Sequence, residues 1–343
     1  DIYFALFLSL LNWLIIINSY IFDANNKTVY FERKRFFSKI ILIISFLLLI
    51  IFDVLTITTA FLIFIISALY LVLLSLNKSK KIIEYKINNT RTTFLKNFKK
   101  VFIYNSPLIK FSVLALTFTQ LEILIINYFY GSEEFSFFAL SVQIGSLIFI
   151  FTASIVPLII KKYVEDIKAK NYNSISLSFS QEVSYLFFGI TFLSIFVAVH
   201  SYGLIFTIAG IEYLDGINVF IIYSIYPIHQ TLGQISSAYF LASEKVKLYS
   251  KINILIYSVG FIFSCLLIMP KSFGGFELGS LGLSIKMVLV QLFSVYILMY
   301  LIYKSLKMNF LKLIFNHLKI ITIVYLVVFG INNLITKSFE EEI

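Results

Sequence analysis

Apolar residues run along this chain in long blocks, broken by short polar stretches. A bilayer crossing needs about 20 mostly apolar residues. Ten blocks meet or approach that length, at roughly 2–22, 37–53, 54–76, 107–129, 136–160, 183–209, 218–242, 251–270, 280–303 and 317–336. The pattern predicts an all-α polytopic transmembrane helix bundle of about ten spans. The second and third blocks nearly abut, so a tight turn is expected around Asp53–Thr56, with Asp53 as a solvated cap. The clear boundary is the polar stretch 77–100. It separates three helices in 1–76 from six in 101–304, and 305–343 adds an amphipathic basic stretch and a trailing transmembrane helix. Within 101–162 the pattern reads as two long helices joined by a polar turn, GSEEFS, with Pro107 opening the first of them.

Composition agrees on the solvent. The chain is 59% hydrophobic and only 13% charged, against about 25% charged in a soluble domain. Its mean hydropathy is +0.93. The net charge of +10 comes from 28 Lys and Arg, and their placement tests the span count, because cytoplasmic loops of membrane proteins collect Lys and Arg. With residue 1 outside, the inner loops carry clusters such as Arg33–Arg35 with Lys39, the bases of 77–100, and Lys161–Lys170. Only Lys271 and Lys337 fall on outer loops, and Lys110 and Lys286 are left inside spans. A nucleic-acid interface would gather such bases on one face; here they are spread over five loops, and that class is set aside. The single cysteine, Cys265, excludes a disulfide framework. Three scattered histidines suggest no metal site, and nothing implies a cofactor or a catalytic residue.

Buried charge is where chemistry is expected, since a lysine at the bilayer centre costs about 2.5–3.5 kcal/mol even on the lenient insertion scale. Lys110 lies near the inner end of its helix and could snorkel; Lys286 lies roughly a third of the way in from the outer end of its helix, where snorkelling is harder. Glu122, two-thirds along its helix, is either a hydrogen-bonded bundle residue or a coupling site for a proton or cation. Glu182 is expected at a helix start, where a carboxylate suits the dipole. Pro227 falls inside the 218–242 block and should kink it. The residues after it, His229, Gln230, Gly233, Gln234, Ser236 and Ser237, give that helix a polar face. Such a face either lines a cavity or forms a seam between helices. The substrate-cavity candidates are therefore Lys286, Lys110, His229, Gln230 and Gln234, with Glu122 for coupling and Pro227 as the kink.

Two stretches carry a family resemblance. One is Lys99–Lys100, Tyr104 to Pro107, Glu122, Gly131 to Phe135, and Pro157. The other is Ile268, Pro270, Gly274, Gly275, Gly279 and Gly282. Together they resemble the polysaccharide flippases of the Wzx type, in the multidrug/oligosaccharidyl-lipid/polysaccharide exporter superfamily, many of which carry Asp where this chain has Glu122. The resemblance implies two six-helix lobes around a central cavity. Residues 101–304 would be a complete C-terminal lobe and 1–76 the last three helices of the other, with the chain N-terminally truncated. It implies an undecaprenyl-diphosphate-linked oligosaccharide as substrate, turned over by alternating access in the bacterial cytoplasmic (inner) membrane. Partners would be membrane lipids, a glycan polymerase and chain-length regulators. The alternatives are an H⁺- or Na⁺-coupled multidrug exporter of the same superfamily, which would rely on cavity acids, and a membrane glycan polymerase, which would want a larger outer loop than the roughly nine residues available.

Overall fold

The computed structural model describes residues 2–25, 27–84 and 91–341, so the middle of the basic linker, 85–90, lies outside the described residues. Among the described residues every regular element is a helix. In chain order these are α1 (Ile2–Ala24), α2 (Thr28–Ile51), α3 (Ile57–Glu84), α4 (Arg91–Lys168), α5 (Tyr172–Val199), α6 (Ser201–Ala209), α7 (Ile217–Tyr223), α8 (Tyr226–Ala242), α9 (Val246–Ile268), α10 (Gly279–Ser305) and α11 (Phe310–Glu341). Seven helices among the described residues are long and apolar enough to cross a membrane by length and composition. The rows of exposed Leu, Ile and Phe along α2, α9 and α11 would be untenable in water. This is a multi-pass membrane protein.

The helices differ from the expected spans mainly at their ends. They run on into polar sequence: α2 begins at Thr28, α3 continues to Glu84, and α5 begins at Tyr172, where the Asn171 side chain accepts from the Ser174 N–H at 3.1 Å. Backbone hydrogen bonding does not stop where the lipid stops. Two expectations change as a result. Pro107 does not open a helix but lies inside α4, as does Pro157. Glu182 is not at a helix start; it lies well inside α5, accepting from the Tyr163 hydroxyl with Lys162 at 3.8 Å. Asp53 takes a left-handed backbone, φ 52°, in the turn between α2 and α3.

The GSEEFS turn also tightens. Residues on both sides are helical, and the whole reversal is made at Gly131, φ 84° and ψ 174°. That backbone is open to glycine alone, while space is not the constraint, since nothing lies within 4 Å of a Cβ there. Gly131→Ala is therefore expected to destabilise by about 1–3 kcal/mol through backbone strain only. A thermal-unfolding series in detergent should show Gly131→Ala and Gly131→Val costing nearly the same; a much larger loss for Val would point to crowding instead.

The chain divides into two compact units, Asp1–Asn97 and Phe98–Ile343. In unit 1, α1 packs on α3 around Leu11, Ile65, Ala68 and Val72, and α2 packs on α3 as well. Unit 2 has two buried clusters. One joins α4, α5, α8 and α10 through residues such as Tyr163, Phe179, Phe187, Leu232 and Val295. The other gathers Ile126, Tyr223, Ile268 and Leu283.

Candidate functional site

Lys286 and Glu122 meet. The lysine Nζ donates to Glu122 Oε1 at 2.5 Å, with the two residues only 6% and 2% exposed. Their meeting follows from an anchor at one end of the bundle. Glu134, just past Gly131, accepts from the Ser280 backbone N–H at 3.0 Å, so a carboxylate caps the start of α10. The Ser280 hydroxyl donates back to the Glu134 carbonyl. The Tyr130 hydroxyl donates to the Ile268 carbonyl at the end of α9. With Gly131 and the α10 start fixed side by side, a rise of 1.5 Å per residue places Glu122 about 13 Å and Lys286 about 10 Å below that anchor. The two helices run antiparallel, so the charges arrive at one depth.

Cavities lie on both sides of this pair. One of about 520 Å³ is lined by Lys286 together with Ser112, Thr119, Tyr226, Tyr257 and Gln291. A smaller one of about 170 Å³ shares Phe111, Tyr257 and Gln291 with it and adds Gln230, Gln234, Ser237 and Asn253. The two share residues and form one tract walled by α4, α8, α9 and α10, largely apolar beside Lys286 and polar around Gln230, Gln234 and Asn253. A third cavity, about 470 Å³, holds Glu122 among mostly apolar neighbours that include Phe135, Phe138 and Tyr223. Lysine and carboxylate thus face different compartments across their own hydrogen bond.

The break expected at Pro227 is present and comes slightly earlier than the proline. α7 ends at Tyr223, the chain turns through Ser224 and Ile225, and Pro227 sits in the first turn of α8. There its missing N–H leaves no bond unmade. This sets the face that α8 presents. Gln230 lines the polar tract and accepts from the Tyr226 hydroxyl at 3.3 Å. Gln234 lines it too, and its Oε1 is buried without a protein partner. His229 does not line the tract. It is buried on another side of α8, 6.3 Å between ring centroids from Tyr296. Lys110 is exposed on α4 and lines none of these cavities.

Sequence reasoning missed Tyr257, Asn253, Thr119 and Gln291. The two amides were detectable as polar interruptions of apolar blocks. His317, one of the three scattered histidines, was also given no role. His317 is buried, stacked on Phe187 at 3.8 Å, with its Nδ1 2.9 Å from the Tyr296 hydroxyl. Among the described residues no group of three or more His, Cys, Asp or Glu could hold a metal.

No protein-family model matches the chain. No curated protein matches it either. Among solved structures it is similar to one described as the lipid II flippase MurJ in an inward closed conformation, with a TM-score of 0.60 and 17% identity over 94% of this chain. At that identity the likeness is one of fold. The chain spans 65% of the length of that structure.

Proposed function

We propose that the protein is a flippase for an undecaprenyl-diphosphate-linked oligosaccharide, working by alternating access in the bacterial cytoplasmic membrane. The observation that carries this reading is the tract ending at Lys286, in a fold shared with a protein described as a lipid II flippase. A diphosphate needs cationic, hydrogen-bonding surroundings to leave water, and sugars need amides and aromatic faces. The tract offers Lys286 for the first, and Gln230, Gln234, Gln291, Tyr226 and Tyr257 for the second. Glu122 refines the mechanism. Because it already neutralises Lys286, a diphosphate reaches the ammonium by displacing the carboxylate. The displaced Glu122, facing its own cavity, is then the group that takes a proton or cation. Binding of cargo and binding of the coupling ion are tied through one hydrogen bond.

The test is transfer of a fluorescent undecaprenyl-diphosphate oligosaccharide across liposomes that hold the complete protein. The wild type should move it. A Gln234→Ala/Gln291→Ala variant should do so roughly tenfold more slowly, the loss of one or two buried hydrogen bonds of about 1 kcal/mol each. No movement by the wild type, or equal movement of phosphatidylcholine, would reject the flippase.

One observation favours a second reading. The cavity that holds Glu122 is largely apolar and aromatic, with Phe135, Phe138 and Tyr223 on its wall, a lining that suits a lipophilic cation. Drug export predicts ethidium efflux that Glu122→Gln abolishes; flipping predicts no such efflux.

A further inference from the structure

The cavity in unit 1 has its own chemistry. An open cleft of about 350 Å³ lies between α1, α2 and α3, and the Arg35 and Lys39 side chains on it are exposed. It is lined by Arg35 and Lys39 of α2 and Asn12 of α1, together with Ser38, Ser67 and apolar residues including Leu8, Ile15 and Phe61. Arg35 and Lys39 are four residues apart and so share a helix face. That face is held in register by a cross-tie between Ser38 and Ser67, both buried. The hydroxyls are 2.8 Å apart, Ser38 donates to the Ser67 carbonyl at 3.1 Å, and Ser67 donates to the Ser38 carbonyl at 3.3 Å. The two cations are therefore placed by packing on α3 and do not trail from a loop.

Their depth matters. Positive-inside counting assigns Arg35 and Lys39 to an inner loop, but α2 is helical from Thr28. The run after Lys39, residues 40–51, carries no charge and only Ser45 as a polar side chain; at 1.5 Å per residue it is about 18 Å long, well short of a hydrocarbon core of about 30 Å. In a spanning α2, Lys39 is drawn to the level of lipid headgroups or below. A cation there is costly unless something answers it. Arg35 has Glu32 at 3.4 Å, an exposed pair of small value. Among the described residues no carboxylate pairs with Lys39. A guanidinium and an ammonium one turn apart, with an amide and apolar side chains in the same lining, fit a phosphate that carries a hydrocarbon chain. Arg offers it a planar fork and Lys a point charge.

We propose that this cavity is a binding site for the phosphate of an anionic lipid, held by Arg35, Lys39 and Asn12 with its chain along Leu8, Ile15 and Phe61. The site is built wholly within unit 1, and it stands whether or not the transport reading does. A lipid seated there would brace α1, α2 and α3 together.

Native mass spectrometry and thermal unfolding of the complete protein in neutral detergent test it, with phosphatidylglycerol, phosphatidylcholine and inorganic phosphate as probes. Phosphatidylglycerol should be retained as a one-to-one adduct and raise the unfolding midpoint; the other two, at equal concentration, should do neither. Arg35→Gln/Lys39→Gln should weaken phosphatidylglycerol binding roughly tenfold or more, two cations contributing about 1 kcal/mol each. Lys247→Gln in α9 should leave it unchanged, and Lys39→Arg should retain it. Equal binding of phosphatidylcholine, or undiminished binding in the double variant, would overturn the site. An equal effect of inorganic phosphate would overturn the lipid chain's part in it. Occupation of the cavity by protein predicts no binding of any probe and is likewise a refutation. Should the double variant fail to fold, Lys39→Gln alone should still lose severalfold, and an unchanged affinity there would overturn the site just as surely.

Discussion

Lys286→Met is expected to lower stability by about 3–5 kcal/mol, because it strands the buried Glu122 carboxylate without its partner. Glu122→Leu should cost a similar amount by stranding the ammonium. The double variant Lys286→Met/Glu122→Leu should regain most of that loss, since a buried ion pair replaced by apolar groups of similar volume is often neutral or stabilising. Cys265, the single cysteine, lies part-buried on α9, so a thiol-reactive dye reports unfolding of unit 2 directly. Transport separates the pair's two roles. If the pair only holds α4 to α10, the double variant should flip cargo as well as it folds. If cargo and ion exchange across it, as proposed, the double variant should be stable and inactive. Singles that are harmless to stability would mean that the charges are not confined as the geometry shows.

The second large effect is expected at Gly275. The segment after α9 folds back in a tight hairpin: the Gly275 N–H donates to the Pro270 carbonyl at 3.2 Å, Phe276 to Leu266 at 2.8 Å, and Leu278 to Leu267 at 3.0 Å. A Cβ on Gly275 would lie 2.0 Å from the Met269 carbonyl oxygen. That oxygen also accepts from Glu277 at 2.9 Å, so it has no freedom to retreat. Gly275→Val should cost about 3 kcal/mol or more. By moving the start of α10 it should also loosen the Glu134–Ser280 cap and misplace Lys286. Unfolding curves for Gly275→Val and, as a comparison, for Gly330→Val check this. Gly330 has nothing within 4 Å of a Cβ, and only the first variant should fall sharply.

Much of this architecture could be read from the order of residues because lipid imposes a simple grammar. Apolar length gives helices, and Lys and Arg mark one side. The break near Pro227 was legible for an equally local reason. Glu122 and Lys286 were each conspicuous as buried charges, yet their partnership was not. They are 164 residues apart in sequence, and nothing local says that α4 and α10 lie side by side at matching depth. That depends on Gly131 and on the Glu134 cap of α10, which are visible only in three dimensions. The same limit explains Arg35 and Lys39. A charge count assigns them to a loop, and only the packing of α2 on α3 turns them toward a cavity. His229 is absent from the tract that Gln230 and Gln234 line, because periodicity gives a face but not what the face meets.

α11 follows α10 in sequence but packs chiefly against α5, with the His317 imidazole lying flat on Phe187 and linked to Tyr296. Fastened in this way, α11 is a passenger of the bundle, not a loose appendage. Were unit 2 to rock in the proposed alternating access, it would carry α11 bodily through the surrounding bilayer, and drag from the lipids displaced by that sweep would become part of the work of each cycle.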